Sequence, residues 1–172
     1  MRFLILLVAP GTFGACTMVG SQVPLPRPGP VEGGRTPTTR TVSEAEAARI
    51  TAGVVEVALQ AIGTPYVWGG TDANGFDCSG LIQYAYAEFG IALQRVSTAQ
   101  MQAGSPVPLD PDLMRPGDIL GFSVDEPNKA SHVGLYVGDF EFIHSGSSGV
   151  RIASILTPYW RERLIAVRRV VP

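Results

Sequence analysis

The segment GFDCSGLIQYAY, residues 75–86, decides how the rest of the chain is read. It sets Cys78, one of only two cysteines, directly after an aspartate and ahead of a run with helical spacing. Asp77 is a good N-cap, so the pattern predicts a helix that starts at the cysteine and runs to Phe89, with Gly90 as its stop. Leu81, Tyr84, Ala85 and Glu88 fall on one side of that helix. Two readings of Cys78 stand open at this point. Free cysteine is among the most buried residue types and can simply fill a core. A cysteine at a helix N-terminus also faces unpaired amides and the positive end of the helix dipole, both of which favour the thiolate. Such a thiol is a nucleophile if a base stands beside it.

On the N-terminal side, Ser43-Glu44-Ala45-Glu46 is a capping-box pattern. Ala47, Ile50, Val54, Val57 and Ala61 follow at helical spacing until Gly63 and Pro65, which predicts a scaffold helix. A glycine-rich turn, TPYVWGGTDANG, joins it to the cysteine segment. A shorter helix is expected from Ser97, where Ser97 and Gln100 repeat the capping box. After Arg115-Pro116-Gly117-Asp118 the period changes to two. Residues 119–122, 132–137, 142–145, 150–155 and 164–170 then read as strands. Helices followed by an antiparallel sheet make an α+β domain, with the helices packed on one side of the sheet.

The two histidines of the chain, His132 and His144, both fall on these strands. Side chains alternate along a strand, so His132 shares a face with Gly134 and Tyr136. A plain two-residue turn near Gly138-Asp139 would put the two histidines on opposite faces. A three-residue loop, Gly138-Asp139-Phe140, would pair Gly134 with His144 and bring them together; an odd-length loop or a bulge is therefore expected. Cys78 as nucleophile, His132 as base and His144 as the group orienting that base then form a triad. The Cys78 amide can support an oxyanion, and Gly80 and Gly134 are expected to leave room for a substrate backbone. Two histidines and a cysteine could also bind zinc, but the spacing does not call for a metal.

The segments TPYVWGG, GFDCSGLIQYAY, LQRVSTAQ, RPGDILGF, SHVGLYVGD and FIHSGSSGV resemble, in order, the motifs of the NlpC family of bacterial cell-wall cysteine peptidases. The likeness covers about residues 45–170. It implies a papain-like domain with helices packed on a five- to six-stranded antiparallel sheet, and cleavage of peptidoglycan stem peptides or cross-links. By the same resemblance the nucleophile maps to Cys78, the base to His132, the third polar residue to His144, and the tyrosine beside the oxyanion site to Tyr66. Asp77 and Ser79 are implied to line the substrate groove. The family's usual Leu-Pro-Arg stands here as Leu93-Gln94-Arg95. The segment VDEPNKAS, residues 124–131, reads either as a specificity loop or as an ordinary surface loop.

The whole chain bounds these readings. Its 172 residues suit one domain, with 45% hydrophobic and 16% charged residues. A net charge of −2 gives no basic surface for nucleic acid. Residues 1–15 read as a secretory signal: Met1-Arg2, an apolar Phe3–Ala9 run far short of a membrane span, then small residues. Cys16 after Gly14-Ala15 resembles a lipobox cysteine, although Phe13 stands where leucine is usual; an ordinary cleaved signal is the alternative. Residues 16–42 form a linker, since five prolines and four glycines between Thr17 and Val42 build no core. Residues 43–172 form the folded domain. An exported, periplasm-facing monomer is expected, held at the outer membrane by lipid on Cys16, with peptidoglycan peptides as its partner and no cofactor. Amide hydrolysis or acyl transfer by the same triad on another substrate is the alternative, as is a catalytically silent wall-binding lipoprotein.

Overall fold

The computed structural model describes residues 42–172. The expected signal, the candidate lipidation residue Cys16 and the linker up to residue 41 lie outside the described residues. Helix α1 spans Glu44–Gln60, and Ser43 caps it by accepting the Glu46 N–H at 3.2 Å. A two-stranded ribbon follows, β1 (Thr71–Asp72) and β2 (Gly75–Phe76), and then helix α2 (Cys78–Ala87). After the short helix α3 (Ser97–Gln100) come β3 (Ser105–Val107), β4 (Ile119–Phe122), β5 (His132–Gly138), β6 (Glu141–Gly146) and β7 (Gly149–Ser154). A one-turn helix α4 (Pro158–Arg161) leads into β8 (Leu164–Arg169). The main sheet has six antiparallel strands in the order β3-β8-β4-β5-β6-β7.

The alternation along these strands builds a core on each face of the sheet. Ile119, Val133, Leu135, Ile143 and Val150 pack with Val54, Ala58, Leu81, Ile82 and Ala85 of α1 and α2. Leu120, Phe122, Tyr136 and Phe142 pack on the other face with Val167, Ile155 and Trp160. Trp160 belongs to α4, so the expectation of helices on one side holds for α1 and α2 and not for α4. The sixth strand, β3, was not legible in advance because three residues including Pro106 carry no alternation. It lies at the sheet edge, where a missing N–H is tolerated.

Two local expectations are corrected by side-chain chemistry. Helix α3 begins at Ser97, but its cap residue is Val96 and no side chain caps it. The Ser97 hydroxyl instead donates to the Ala130 carbonyl at 2.9 Å, and the Gln100 amide donates to the Ser79 and Gln94 carbonyls at 2.9 Å each. Partners outside the helix thus take the groups that a capping box would use. Glu88 is exposed, and the buried side of α2 is completed by Ile82 and Tyr86. Of the two alternatives expected at the β5–β6 connection, the loop has two residues rather than three, because Gly138 pairs with Glu141. Asp139 and Phe140 take positive φ values of 50° and 61°, as a primed hairpin turn demands.

The register nevertheless shifts between Tyr136 and Gly138, so that Tyr136 faces Phe142 and Leu135 faces Ile143. This bulge supplies the extra residue that the loop lacks. Carried one pair further, the register sets Gly134 opposite His144, on the face that also holds His132.

Far from this hairpin, Asp118 ties the start of β4 to the last strand. It is 1% exposed and takes two bonds from Arg169, at 2.8 and 2.7 Å, and one from the Arg115 N–H at 2.8 Å. The Tyr86 hydroxyl donates to the neighbouring Gly117 carbonyl at 2.5 Å, which joins α2 to the same corner. Removing one member of a buried ion pair strands the other. Asp118→Ala is therefore expected to lower the free energy of unfolding by about 3 kcal/mol, read as a reduced midpoint in urea at unchanged slope.

Candidate active site

Asp77 fixes the start of α2, and through it the position of Cys78. Its Oδ1 accepts the Gly80 N–H at 2.7 Å, and its Oδ2 accepts the Gly69 N–H at 3.0 Å. Arg95 donates to both oxygens, at 2.9 and 2.5 Å, and to the Ser79 hydroxyl at 2.9 Å. Burial opposes ionisation of Asp77, but the bonds from Arg95, Gly80 and Gly69 outweigh it and hold the carboxyl below its ordinary range. One carboxylate thus joins the helix, the glycine turn and the Arg95 segment.

The preceding residue, Phe76, locks the remaining walls. Its backbone bonds Pro65 and Val67 on either side of Tyr66, and its carbonyl accepts the Ser145 hydroxyl at 2.7 Å. Gly80 and Gly134 do not create substrate room, contrary to expectation. A Cβ on Gly80 would sit 2.0 Å from the Gly70 carbonyl oxygen, and one on Gly134 would sit 2.4 Å from the Phe142 ring. Both glycines allow close packing instead.

The Cys78 thiol lies against the backbone N–H of Val133, the residue after His132, and near the amides of Ser79 and Cys78 itself. Burial pushes this thiol up, and those amides pull against it. Desolvation therefore works against the helix-terminus effect and favours the thiol over the thiolate that the helix position alone suggested. His132 Nε2 and His144 Nδ1 are 2.9 Å apart. Burial lowers His132 to about 4. His144 is lowered to about 3 by burial first, then by the charges of His132 and Arg151. Both rings are neutral at pH 7.

The tautomers follow from use. If Nδ1 of His132 is to take a proton, its own hydrogen must be on Nε2, donated to Nδ1 of His144. The hydrogen of His144 then sits on its Nε2, which is buried and has no hydrogen-bond partner among the described residues. Trp160 covers the pair. Its ring stacks on His132 at 5.5 Å and 26°, and meets His144 edge-on at 5.0 Å and 71°.

An open groove of about 660 Å³ runs past these groups. Tyr66, Asp77, Cys78, Ser79, Arg95, Asp125, His132 and Ser145 line it, and Trp68, 88% exposed, stands at its rim. The structure thus brings Cys78, His132, Tyr66, Asp77 and Ser79 to one groove, with His144 behind His132. Asp77 and Ser79 are mostly buried, and Arg95 is the member of their cluster that reaches solvent, with 34% of its side chain exposed. Sequence reasoning quoted Arg95 within a motif without giving it a place in the site. It missed Trp160 entirely, since an aromatic in a one-turn helix carries no local signal. Among the described residues, no group of three or more His, Cys, Asp or Glu side chains is placed to hold a metal ion.

A helix-borne cysteine over a sheet that carries paired histidines is the arrangement of a papain-like α+β domain. Residues 63–169 match the model of the NlpC/P60 family, and the chain belongs to that family. It is similar to the bifunctional muramidase/DL-endopeptidase CwlT of Bacillus subtilis, at 39% identity over 68% of this chain and 36% of that protein. It is also similar to the murein DD-endopeptidase MepH of Escherichia coli, at 36% identity over 66% of this chain and 43% of that protein. Among solved structures, the peptidoglycan hydrolase RipB of Mycobacterium tuberculosis superposes with a TM-score of 0.65 at 32% identity, covering 76% of this chain and 69% of that one. The chain spans between about a quarter and a half of the length of the curated relatives it matches.

The two depressed imidazoles link stability to pH. An unfolded histidine titrates near 6.5, so below that pH the unfolded chain binds protons that the native site refuses. The histidine contribution is fully present above pH 6.5 and is lost as pH falls toward 4 and then 3. Unfolding at pH 5 should therefore take up about two protons through these residues, and His144→Gln should reduce the uptake by about one. Urea titrations of both proteins across pH 4.5–7 measure the difference in slope.

Proposed function

We propose that the chain is a peptidoglycan endopeptidase that hydrolyses amide bonds of stem peptides or cross-links through Cys78, His132 and His144. The observation that carries this reading is the 2.9 Å contact between His132 Nε2 and His144 Nδ1, beside a cysteine that opens a helix in an accessible groove. The contact occupies one nitrogen of His132 and leaves Nδ1 for the thiol proton. The names of CwlT, MepH and RipB support the substrate class.

The chemistry is an acyl transfer in two halves. His132 takes the Cys78 proton as the sulfur attacks the substrate carbonyl carbon. The oxyanion that forms is met by the Cys78 N–H, which the helix leaves free, and by the Tyr66 hydroxyl at the groove wall. The C–N bond then breaks, His132 protonates the departing amine, and a thioester remains on Cys78. Water, deprotonated by His132, attacks the thioester and releases the acid and the thiol. His144 stays neutral throughout and holds the ring of His132. A neutral partner stabilises the imidazolium less than a carboxylate does.

The placement of the enzyme belongs to the same proposal. Residues 1–15 act as an export signal, Cys16 carries lipid, and residues 16–42 tether a monomeric domain that faces the periplasm from the outer membrane. Extended, such a tether reaches roughly 80 Å. Labelled palmitate incorporated by the wild type and lost in Cys16→Ala tests the anchor; equal labelling would remove it.

Digestion of purified peptidoglycan, with the products identified by mass spectrometry, tests the reaction. Cys78→Ala and His132→Ala should each lose at least about 10³-fold in rate, because members of a triad act as a unit. His144→Ala should lose about 10²- to 10⁴-fold, with partial recovery in His144→Gln, whose amide can still bond His132. Unchanged muropeptides after treatment with the wild type would refute the assignment.

A further inference from the structure

The reaction assigned to Cys78 creates a cation on a ring that no carboxylate bonds. The proton of Cys78 passes to Nδ1 of His132, which leaves a thiolate on the sulfur and an imidazolium on the strand. The other hydrogen of that ring, on Nε2, goes to neutral His144. The charge of Asp125 is felt at His132, and the charge of Arg151, opposite in sign, at His144. Among the described residues, neither forms a hydrogen bond or ion pair with an imidazole. The imidazolium therefore draws little support from bonded groups beyond the thiolate itself.

What does lie against the His132 ring is the indole of Trp160. The two rings stack, with centroids 5.5 Å apart and planes 26° from parallel. An aromatic face is negative, and it attracts a cation within about 6 Å of its centroid; tryptophan presents the strongest such face. Three further rings hold the indole at steep angles: Phe122 at 4.9 Å and 62°, Phe142 at 5.2 Å and 85°, and Tyr159 at 4.8 Å and 89°. The turn that carries it is tied to the end of β4, where the Ser123 N–H donates to the Arg163 carbonyl at 2.8 Å. The Arg163 guanidinium does not compete for the indole, since it lies 4.0 Å over the Tyr159 ring. Any apolar side chain of similar size could exclude water here. A stacked indole on the one ring that acquires charge can do more. Resting on the reading of Cys78 and His132 as nucleophile and base, we propose that Trp160 is a positioning residue of the reaction, whose indole face stabilises the imidazolium of His132 where other triads use a carboxylate.

Fluorine on the indole weakens the negative face with little change of shape, so the fold is not put at risk. The full chain bearing Trp68→Phe keeps Trp160 as its only tryptophan, and is prepared with indoles carrying zero to three fluorines. Alkylation of Cys78 by iodoacetamide at pH 7, read on the Cys78 peptide, reports the population of the thiolate–imidazolium pair. Its rate should fall in step with the fluorine count, by about ten-fold across the series. With His132→Ala added, the rate should no longer respond to fluorine. A flat series, or a slope that survives His132→Ala, would overturn the role of Trp160. Hydrolysis of soluble muropeptides by the same proteins tests the peptidase reading separately, with kcat expected to fall along the series at unchanged KM. Fluorine-dependent alkylation without any hydrolysis keeps the role of Trp160 and overturns the peptidase reading. Hydrolysis together with a flat series does the reverse.

Discussion

The carboxylate of Asp77 is the constraint on which the site depends. It caps α2, takes the Gly69 N–H from the aromatic turn, and binds Arg95 with both oxygens. Each of these bonds joins a different segment to the residue next to Cys78. The sulfur is therefore placed by a cap, and the cap is bonded to three segments. Hydrogen bonds to a charged acceptor are roughly twice as strong as neutral ones, so this is a stiff joint in a part of the chain with no long element. The two-residue strands β1 and β2 could not provide such stiffness on their own.

The other half of the site depends on the sheet, and there the controlling feature is a single extra residue. Two histidines on adjacent strands face each other only if the hairpin register suits them. The turn at Asp139 and Phe140 sets one register, and the bulge before Gly138 converts it into the other. Bulges recur beside active sites because they re-aim side chains without altering strand order. With the register set, Phe122, Phe142 and Trp160 pack against the imidazoles, and burial lowers the basicity of both rings. Packing and proton affinity are here one effect: rings that exclude water hold His132 in place and keep it neutral.

Much of this was legible in the sequence because its signals are local. An aspartate ahead of a helical run gave the start of α2, alternation gave the strands of the sheet core, and two histidines twelve residues apart posed the question of register. The requirement for an odd count was legible too, but not whether loop or bulge would meet it. Asp139 and Phe140 both at positive φ is a tertiary outcome, since an aromatic residue seldom chooses that conformation alone. The features that stayed hidden are long-range. Gln100 spends its amide on Ser79 and Gln94, Trp160 crosses from a one-turn helix to cover the imidazoles, and β3 pairs only with β8. No window of neighbouring residues encodes those contacts. The helix position of Cys78 suggested a thiolate, and the degree of enclosure, which pushes the thiol up, carried no local signal.

In the proposed reaction the Cys78 sulfur forms the bond to the substrate carbonyl carbon. A stem-peptide analogue with an acyloxymethyl ketone in place of the scissile amide tests this most directly, through peptide mapping of the treated protein. One label per chain is expected, on Cys78, with loss of peptidoglycan hydrolysis in step with labelling. Hydrolysis that survives complete labelling of Cys78, or that is lost while the label sits elsewhere, would contradict it.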